Sequence, residues 1–420
     1  MRRSVPDRLA ILGGPPVRNR PWPAWPEYGD EEREALARVL ESRSWGGHPS
    51  PNTEAAALCR DFAQYVDAPH AVACANGTVS LTLALQAARI APGAEVVVPV
   101  YTFVATAAAA AAAGCVPVLV DVLPDTYCID PDQLEDALSP RTEAVIVVHL
   151  ACCMADMDLV SEICERRGLL LIEDCAHAHG ARWRNRGAGS IGDLGSFSMQ
   201  SSKLLTAGEG GLVTARDATT AQRLQSLVNC GRKEPGYDGF PEQMLGHNLR
   251  MTEWQAAIGR AQLARLPDQH RRREARLELF EKELAGIEGL RPLVRDERLT
   301  SRATYQFVLR YDPEAFAGVS RSRALAALRA EGVPCSGPFY VPLNEDPLYS
   351  QDPLTNPAAR AGHAAPPRSF PVARRAAFEE AIWLPHELFL GSEADVSDLV
   401  AAFTKLKANA AHLRDARADP

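Results

Sequence analysis

Four short, almost wholly apolar runs between residues 95 and 174 constrain the fold of this chain more than any other feature. They alternate with helical patterns, one over 105–113 and another over about 157–167. Uninterrupted apolar runs bounded by helices are typical of parallel strands that are covered on both faces. The sequence therefore predicts an α/β fold with a mainly parallel sheet. The predicted strands are Glu95–Pro99, Val116–Asp121, Ala144–His149 and Leu169–Asp174.

The segments on either side of this region have different patterns. Residues 1–29 are rich in proline and arginine, and residues 21–26 read Pro-Trp-Pro-Ala-Trp-Pro, which predicts a stiff arm that packs on a neighbouring surface of this or another subunit. A long helical pattern over about 251–288 leads into a region where strand and helix patterns mix. We therefore expect an N-terminal arm over 1–29, a large domain over 30–265 and a smaller α+β domain over 266–420.

The charge, hydropathy and cysteine spacing of the sequence indicate which binding partners and which cellular location to expect. The chain has 53 acidic and 45 basic residues, and its net charge of −8 argues against nucleic acid or an anionic membrane as the main partner. The sequence contains no run of about eighteen apolar residues, so it predicts no membrane-spanning helix. Arg2 and Arg3 are not followed by the apolar core that a secretory signal has, so we do not expect such a signal. The ten cysteines lack metal-ligand or disulfide spacing, so we expect free thiols, no metal site and a cytoplasmic location.

Lys203 is one of only five lysines in a chain where arginine carries nearly all the positive charge. It lies in a segment of small and hydroxyl-bearing residues, Gly195–Gly211, whereas the other four lysines lie in polar stretches typical of a solvated surface. Lysine can lose its proton and form a Schiff base with an aldehyde, which arginine cannot do. Lys203 is therefore the first candidate for a catalytic residue.

Two further positions are candidates for binding a charged ligand. Asp174 ends a predicted strand, and ligands of doubly wound sheets bind at the carboxyl ends of strands, although many such aspartates only cap helices. Gly77 and Thr78 follow Asn76 and precede an apolar helix, where free N–H groups and a hydroxyl suit a phosphate. An ordinary helix cap is the alternative interpretation of that segment.

A phosphate cradle, a carboxylate and a lysine together match the needs of pyridoxal 5′-phosphate. Its aldehyde needs the lysine, its phosphate needs a helix N-terminus, and its ring nitrogen needs a carboxylate that keeps it protonated. An aromatic side chain on the ring face would complete the site. Phe103 follows directly after a predicted strand and is a candidate for that position, with core packing as the alternative.

Two longer motifs carry a resemblance to a known family. Residues 172–177 read Ile-Glu-Asp-Cys-Ala-His, and residues 198–211 read Ser-Met-Gln-Ser-Ser-Lys-Leu-Leu-Thr-Ala-Gly-Glu-Gly-Gly. On these the chain resembles the DegT/DnrJ/EryC1/StrS family of sugar and cyclitol aminotransferases from Pro21 through the C-terminal region. The resemblance implies a fold-type I, aspartate aminotransferase-like large domain, with a smaller α+β domain after it.

The resemblance also implies a role for each candidate residue. Asn248 would reach the cofactor phosphate of a neighbouring subunit, so that the active sites would be shared in a homodimer. The other implied cofactor contacts are Lys203 as the Schiff-base lysine, Asp174 at the ring nitrogen, Gly77, Thr78 and Ser198 at the phosphate, Phe103 on the ring face and His177 near the phenolic oxygen.

Further motifs resemble one subgroup of the family, the L-glutamine:scyllo-inosose and 2-deoxy-scyllo-inosose aminotransferases of aminoglycoside antibiotic biosynthesis. They are residues 17–23, 125–131 and 340–347. The resemblance implies L-glutamine as amino donor and a cyclic ketone as acceptor. Residues 151–153, Ala-Cys-Cys, depart from the aromatic residue and glycine of many relatives, and enzymes that make 3-amino-5-hydroxybenzoate share that alanine.

Other functions stay open at this point. A nucleotide-linked keto-sugar aminotransferase would need a cationic groove for a diphosphate, and no suitable cluster of arginine and lysine is evident. A 3-amino-5-hydroxybenzoate synthase would add dehydration with the same lysine. Related dehydratases carry histidine in place of that lysine, so Lys203 argues against them. A non-catalytic regulator with this fold is the alternative from a different class.

Overall fold

The structure of the chain, a computed structural model, describes residues 8–47, 50–232, 244–347 and 369–416. Residues 1–7 of the predicted arm lie outside the described residues. Within these four ranges, no helix combines the length and the apolar character that crossing a membrane requires.

Strands and α-helices alternate along these residues. The strands are β1 His70–Cys74, β2 Glu95–Pro99, β3 Val116–Val120, β4 Thr142–Val148, β5 Leu170–Asp174, β6 Arg182–Trp183, β7 Arg186–Gly187, β8 Leu194–Ser198, β9 Gly211–Ala215, β10 Leu290–Pro292, β11 Leu299–Ser301, β12 Gln306–Tyr311 and β13 Ala381–Pro385. The helices are α1 Asp30–Ser42, α2 Thr53–Tyr65, α3 Gly77–Ala87, α4 Ala105–Ala112, α5 Pro131–Ala137, α6 Met157–Arg167, α7 Ala218–Val228, α8 Glu253–Leu284, α9 Arg321–Ala330, α10 Pro371–Arg375, α11 Glu393–Ala408 and α12 Ala410–Asp415.

A seven-stranded sheet forms the centre of the larger part of the chain. Its spatial order is β1-β9-β8-β5-β4-β2-β3, and β9 alone runs against the direction of the other six strands. The four apolar runs form β2 to β5, and these strands are parallel and largely buried. The predicted α/β fold with a mainly parallel sheet is therefore confirmed.

Local sequence signals explain where the helices next to this sheet begin. The Asn76 side chain accepts a hydrogen bond from the Val79 N–H and caps α3. Thr252 and Gln255 form a capping box at the start of α8. The alanine-rich helix α4 packs on α3, since methyl side chains let two helices approach closely.

A second, smaller sheet lies in the C-terminal region. It has three antiparallel strands in the order β10-β12-β13. Helix α9 packs on β13, and α11 packs on both α9 and α8. The predicted mixture of strands and helices is present there, and we call this part the small lobe. The predicted domain boundary between residues 265 and 266 falls within the continuous helix α8.

The described part of the N-terminal arm packs on the small lobe of the same chain. The buried carboxylate of Glu331 accepts hydrogen bonds from the Val17 N–H at 2.9 Å and from Lys405 Nζ at 2.8 Å. Arg18 donates to the carboxylates of Asp395 and Asp398 at 2.6 and 2.9 Å. The arm is therefore tied to the small lobe by charges that are almost wholly removed from water.

Candidate active site

Four of the predicted site residues lie at one edge of the main sheet. Asp174 ends β5, and Ser198 ends the adjacent parallel strand β8. Gly77 begins α3 shortly after β1, and Phe103 follows β2. Because β1, β2, β5 and β8 run in the same direction, these residues meet at the carboxyl edge of the sheet, where open α/β sheets bind ligands.

Asp174 is a buried carboxylate whose hydrogen bonds come from neutral groups. Its side chain accepts from the Thr106 hydroxyl at 2.9 Å and from the Ala176 N–H at 3.2 Å. Burial raises the pKa of Asp174, and these hydrogen bonds and the positive charge of Lys203 offset only part of that effect. The site therefore contains an acidic group that would be stabilised by a cationic partner.

Glu173, the preceding residue of β5, stabilises the opposite side of that strand. Its buried carboxylate accepts hydrogen bonds from His149 Nε2 at 3.0 Å and from the N–H groups of Gly189, Ile191 and Gly192 at 2.7–2.9 Å. Burial alone would raise the pKa of Glu173, but these hydrogen bonds hold it below its ordinary value. Glu173 was not predicted from the sequence, although a charged side chain next to an apolar run could have indicated it.

Lys203 lies in a turn that follows β8, and its N–H donates to the Gln200 carbonyl at 2.8 Å. Burial of the side-chain amine lowers the pKa of Lys203 to about 8, and the negative charge of Asp174 opposes this shift in part. A lysine with this pKa is partly neutral near pH 8 and can act as a nucleophile or a base. The structure therefore brings Lys203 and Asp174 into one electrostatic environment.

Gly77 and Ser198 are in close contact at the start of α3. A Cβ atom on Gly77 would lie 2.5 Å from Ser198 Cβ, so no larger residue fits without a shift. The first N–H groups of a helix have no acceptor within it, and the Asn76 side chain takes only that of Val79. The Thr78 side chain is exposed beside them. This segment can therefore bind an anion between Gly77, Thr78 and Ser198.

His177 is buried, and its hydrogen bonds define which ring nitrogen carries the proton. Nδ1 accepts from the Ala151 N–H at 3.2 Å, so the proton lies on Nε2, which is 3.0 Å from the Tyr340 hydroxyl. Burial and the charge of Lys203 lower the pKa of His177 well below its ordinary value, so the ring is neutral. Because Tyr340 accepts this proton, its own O–H is free to donate to a ligand.

Two tyrosines of the small lobe complete the surroundings of Lys203. Lys203 Nζ lies 4.3 Å from the ring centre of Tyr305, and that ring packs on His177 with 4.2 Å between centroids. Tyr340 lies parallel to His177, with 6.0 Å between the ring centroids. Sequence reasoning did not place either tyrosine in the site, because nothing in their local sequence shows that the small lobe reaches Lys203.

Phe103 lies at the open side of the site. Its side chain is 55% exposed, and its ring centre is 6.1 Å from that of Tyr340. A side chain that packs in the core is buried, so Phe103 is not a core residue of the isolated chain.

Asn248 is placed in a different environment from the other predicted residues. It pairs through its backbone with Asn229, just after α7, and its side chain is exposed. Among the described residues, its side chain has no hydrogen-bond partner. The isolated chain therefore does not bring Asn248 to Lys203.

Together these residues can hold an anion, a cationic ring nitrogen and a carbonyl compound in one crevice. The N–H groups at Gly77 suit the anion, and the Asp174 carboxylate suits the cation. The amine of Lys203 suits the carbonyl compound.

Comparisons with known proteins identify the family of the chain. The sequence model of the DegT/DnrJ/EryC1/StrS aminotransferase family matches residues 26–404. The chain is 45% identical over 414 residues to the "Putative L-glutamine:3-amino-2,3-dideoxy-scyllo-inosose aminotransferase" of Streptoalloteichus tenebrarius, covering 97% of this chain and 100% of that protein. It is 40% identical to the "L-glutamine:2-deoxy-scyllo-inosose aminotransferase" of the same organism, covering 98% and 100% of the two chains.

A solved structure gives the same result for the fold. The crystal structure of 3-amino-5-hydroxybenzoic acid synthase superposes with a TM-score of 0.80 at 32% sequence identity. The match covers 94% of this chain and all of the other.

Proposed function

Since the chain belongs to the DegT/DnrJ/EryC1/StrS aminotransferase family, we propose that it transfers an amino group from L-glutamine to a keto-cyclitol of the scyllo-inosose type. The observation that carries the proposal is that Lys203, whose pKa is lowered to about 8, interacts electrostatically with the buried carboxylate of Asp174 at the carboxyl edge of the sheet. Aminotransfer needs a lysine that is both a nucleophile and a base.

We propose pyridoxal 5′-phosphate as the cofactor, because the residues present fit each part of it. Asp174 is a buried carboxylate whose hydrogen bonds come from a hydroxyl and an N–H group, and a protonated ring nitrogen would supply a cationic partner. The contact of Gly77 with Ser198 leaves a cradle for a phosphate at the start of α3. Phe103 would cover a ring face, and His177 would lie near the phenolic oxygen. When bound, the cofactor supplies an aldehyde that accepts amino groups and a ring that withdraws electrons.

Lys203 would have two successive tasks. Its Nζ would first anchor the cofactor, and after release it would take a proton from the α-carbon of the donor. Near neutral pH the fraction of neutral amine is far larger at a pKa of about 8 than at the ordinary value of 10.5. The Tyr305 ring lies against Nζ and the buried His177 is neutral, so neither group adds a positive charge beside the amine. We expect this arrangement to raise the rate of proton transfer.

For the acceptor we favour 3-amino-2,3-dideoxy-scyllo-inosose over 2-deoxy-scyllo-inosose. Three relatives whose names contain the first ketone are 42–45% identical to this chain, whereas five named for the second are 37–40% identical. The place of this reaction would be aminoglycoside biosynthesis.

Two further parts of the proposal concern the assembly and location of the enzyme. A homodimer with shared active sites is supported by the exposed side chain of Asn248, which has no hydrogen-bond partner among the residues that the structure describes. A cytoplasmic location is supported by the ten cysteines, all of which are unpaired.

The purified chain loaded with pyridoxal phosphate tests the proposal. We expect the visible absorbance of the bound cofactor to disappear with L-glutamine and to return with one ketone of the scyllo-inosose type. The panel should also contain keto-sugar nucleotides and the ketone precursor of an aminohydroxybenzoate. If the absorbance returned only with a keto-sugar nucleotide, the proposal of a scyllo-inosose-type acceptor would be wrong.

Borohydride trapping tests the role of Lys203 separately. We expect a reduced adduct on Lys203 in the wild type and in Lys282→Ala, which removes an exposed lysine, but none in Lys203→Ala. A chain that stays colourless with the cofactor and carries no adduct would contradict the whole proposal and favour a non-catalytic protein.

A further inference from the structure

Three groups from outside the main sheet converge on the two residues that precede Lys203. The Trp25 indole N–H donates to the Ser201 carbonyl at 2.9 Å. His386 Nε2 lies 3.2 Å from the Ser202 carbonyl, and the Tyr305 hydroxyl lies 2.8 Å from Ser202 Oγ. Trp25 belongs to the arm, whereas His386 and Tyr305 belong to the small lobe. The backbone that carries Lys203 is therefore held by the arm and the small lobe.

The direction of each of these hydrogen bonds follows from its neighbours. Arg273 Nη2 donates to His386 Nδ1 at 3.2 Å, so His386 carries its proton on Nε2 and donates to the Ser202 carbonyl. Ser202 Oγ donates to Gln200 Oε1 at 2.7 Å, so the Tyr305 hydroxyl donates to Ser202 Oγ. Arg273 and His386 are both almost wholly buried, so the hydrogen bond between them is costly to lose.

The rings of this group pack on one another as well. Trp25 and His386 make an edge-to-face contact with 4.6 Å between centroids, and the Arg273 guanidinium lies 5.2 Å from the Trp25 ring centre. The arm is anchored on both sides of this contact. Trp22 Nε1 donates to the Gly332 carbonyl at 2.7 Å, and Glu27 binds Arg272 of α8 at 2.7 Å.

We infer that Trp25, His386 and Arg273 are positioning residues that set the place of the Lys203 amine relative to Asp174. None of them touches the amine; they act through the carbonyl groups of Ser201 and Ser202. The arm and the small lobe thereby control how the reactive lysine is presented. The inference concerns the lysine loop itself, and its link to catalysis rests on the proposed aminotransfer.

Hydrogen–deuterium exchange of the full chain without added cofactor tests the inference. Trp25→Phe removes the indole N–H but keeps a ring against His386, and we expect about fivefold faster exchange in peptides that cover residues 199–206. Trp22→Phe is the matched control, because it removes an equivalent hydrogen bond of the same arm to a carbonyl that is remote from Lys203. Equal exchange in wild type and Trp25→Phe, or equal acceleration by Trp22→Phe, would overturn the inference.

A pair of variants at His386 gives a second test that does not depend on the arm. His386→Gln keeps an N–H donor for the Ser202 carbonyl, whereas His386→Phe removes it. We expect His386→Phe to accelerate exchange over residues 199–206 and His386→Gln to restore protection towards that of the wild type. Equal exchange in the two variants would overturn the role of this hydrogen bond.

The cofactor-loaded enzyme links the loop to catalysis. With L-glutamine we expect the single-turnover rate of Trp25→Phe to fall severalfold, while the glutamine concentration for half-maximal rate stays unchanged, because the donor site is intact. A change in that concentration alone would overturn the link. If the chain bound no pyridoxal phosphate, the proposed function would fail, but the exchange experiments would still decide the inference.

Discussion

One hydrogen bond of 3.0 Å, from His177 Nε2 to the Tyr340 hydroxyl, joins the main sheet side of the site to the small lobe. Burial keeps Tyr340 protonated, because it raises the pKa of the phenol well above its ordinary value. The tyrosine is thus a hydrogen-bond donor whose hydroxyl oxygen is already held in place. Such a group suits a polyhydroxylated substrate, since it binds a hydroxyl or carbonyl oxygen without having to reorganise.

Tyr340→Phe should therefore weaken acceptor binding. We expect the KM for the ketone to rise about fivefold, the effect of losing one hydrogen bond of about 1 kcal/mol, with little change in the KM for glutamine. Steady-state kinetics with each substrate varied in turn would measure both values. Tyr28→Phe, which changes an exposed tyrosine of the arm, is the control and should leave both constants unchanged. An unchanged ketone KM in Tyr340→Phe would contradict the prediction.

Asp174→Asn should abolish aminotransfer without destabilising the cofactor-free chain. The pKa of Asp174 is raised in the folded state, so its contribution to stability is complete below the unfolded value and is lost as pH rises through the folded value. At pH 7 the wild type therefore carries an unfavourable buried charge that the variant lacks. We expect urea unfolding at pH 7 to show a variant at least as stable as the wild type.

Asp158→Asn is the matched control for that experiment, because the pKa of Asp158 is shifted in the opposite direction from that of Asp174. Hydrogen bonds from Arg184, Trp183 and Arg298 overcome the effect of burial and lower the pKa of Asp158 to about 2. Its stabilising contribution is present above its unfolded pKa and is lost as pH falls towards 2. Asp158→Asn should therefore lower stability at pH 7. A loss of stability in Asp174→Asn as large as in Asp158→Asn would contradict the assignment of Asp174.

The reactivity of Lys203 should depend on pH and on Asp174. In the cofactor-free chain we expect labelling of Lys203 by an amine-reactive reagent to reach half of its maximum near pH 8, the value to which burial lowers its pKa. Because the charge of Asp174 raises this pKa, Asp174→Asn should move the midpoint to lower pH. Mass spectrometry of the labelled peptides would measure this, with Lys282 as an exposed internal reference. A midpoint near the ordinary value of 10.5 would contradict the prediction.

Gly77→Ala should weaken cofactor binding at the phosphate. The added methyl group would lie 2.5 Å from Ser198 Cβ, so α3 and β8 must separate and the anion cradle must change shape. We expect the Kd for pyridoxal phosphate to rise at least about tenfold, which corresponds to about 1.4 kcal/mol. Gly286→Ala is the control, since no atom lies closer than 3.9 Å to its added Cβ. Equal affinities in the two variants would contradict the role of Gly77.

Local patterns in the chain were sufficient for the main sheet and for several candidate residues. Apolar runs predicted β2 to β5 because a strand covered on both faces leaves few positions for a polar side chain. Asp174 and Gly77 were found because strand ends and helix starts are local features. Lys203 was found because lysine is rare in this chain and lies among small residues.

The rest of the site depends on long-range packing. Tyr305 and Tyr340 are more than 100 residues from Lys203 in the sequence, and Trp25 is more than 170 residues from it. Their contacts with the lysine and its loop arise because the arm and the small lobe fold back against the carboxyl edge of the sheet. No local pattern encodes that approach, since side chains with the same neighbours could equally face solvent. The sequence alone therefore determined the chemical groups of the site, whereas the position of Lys203 depends on the tertiary structure.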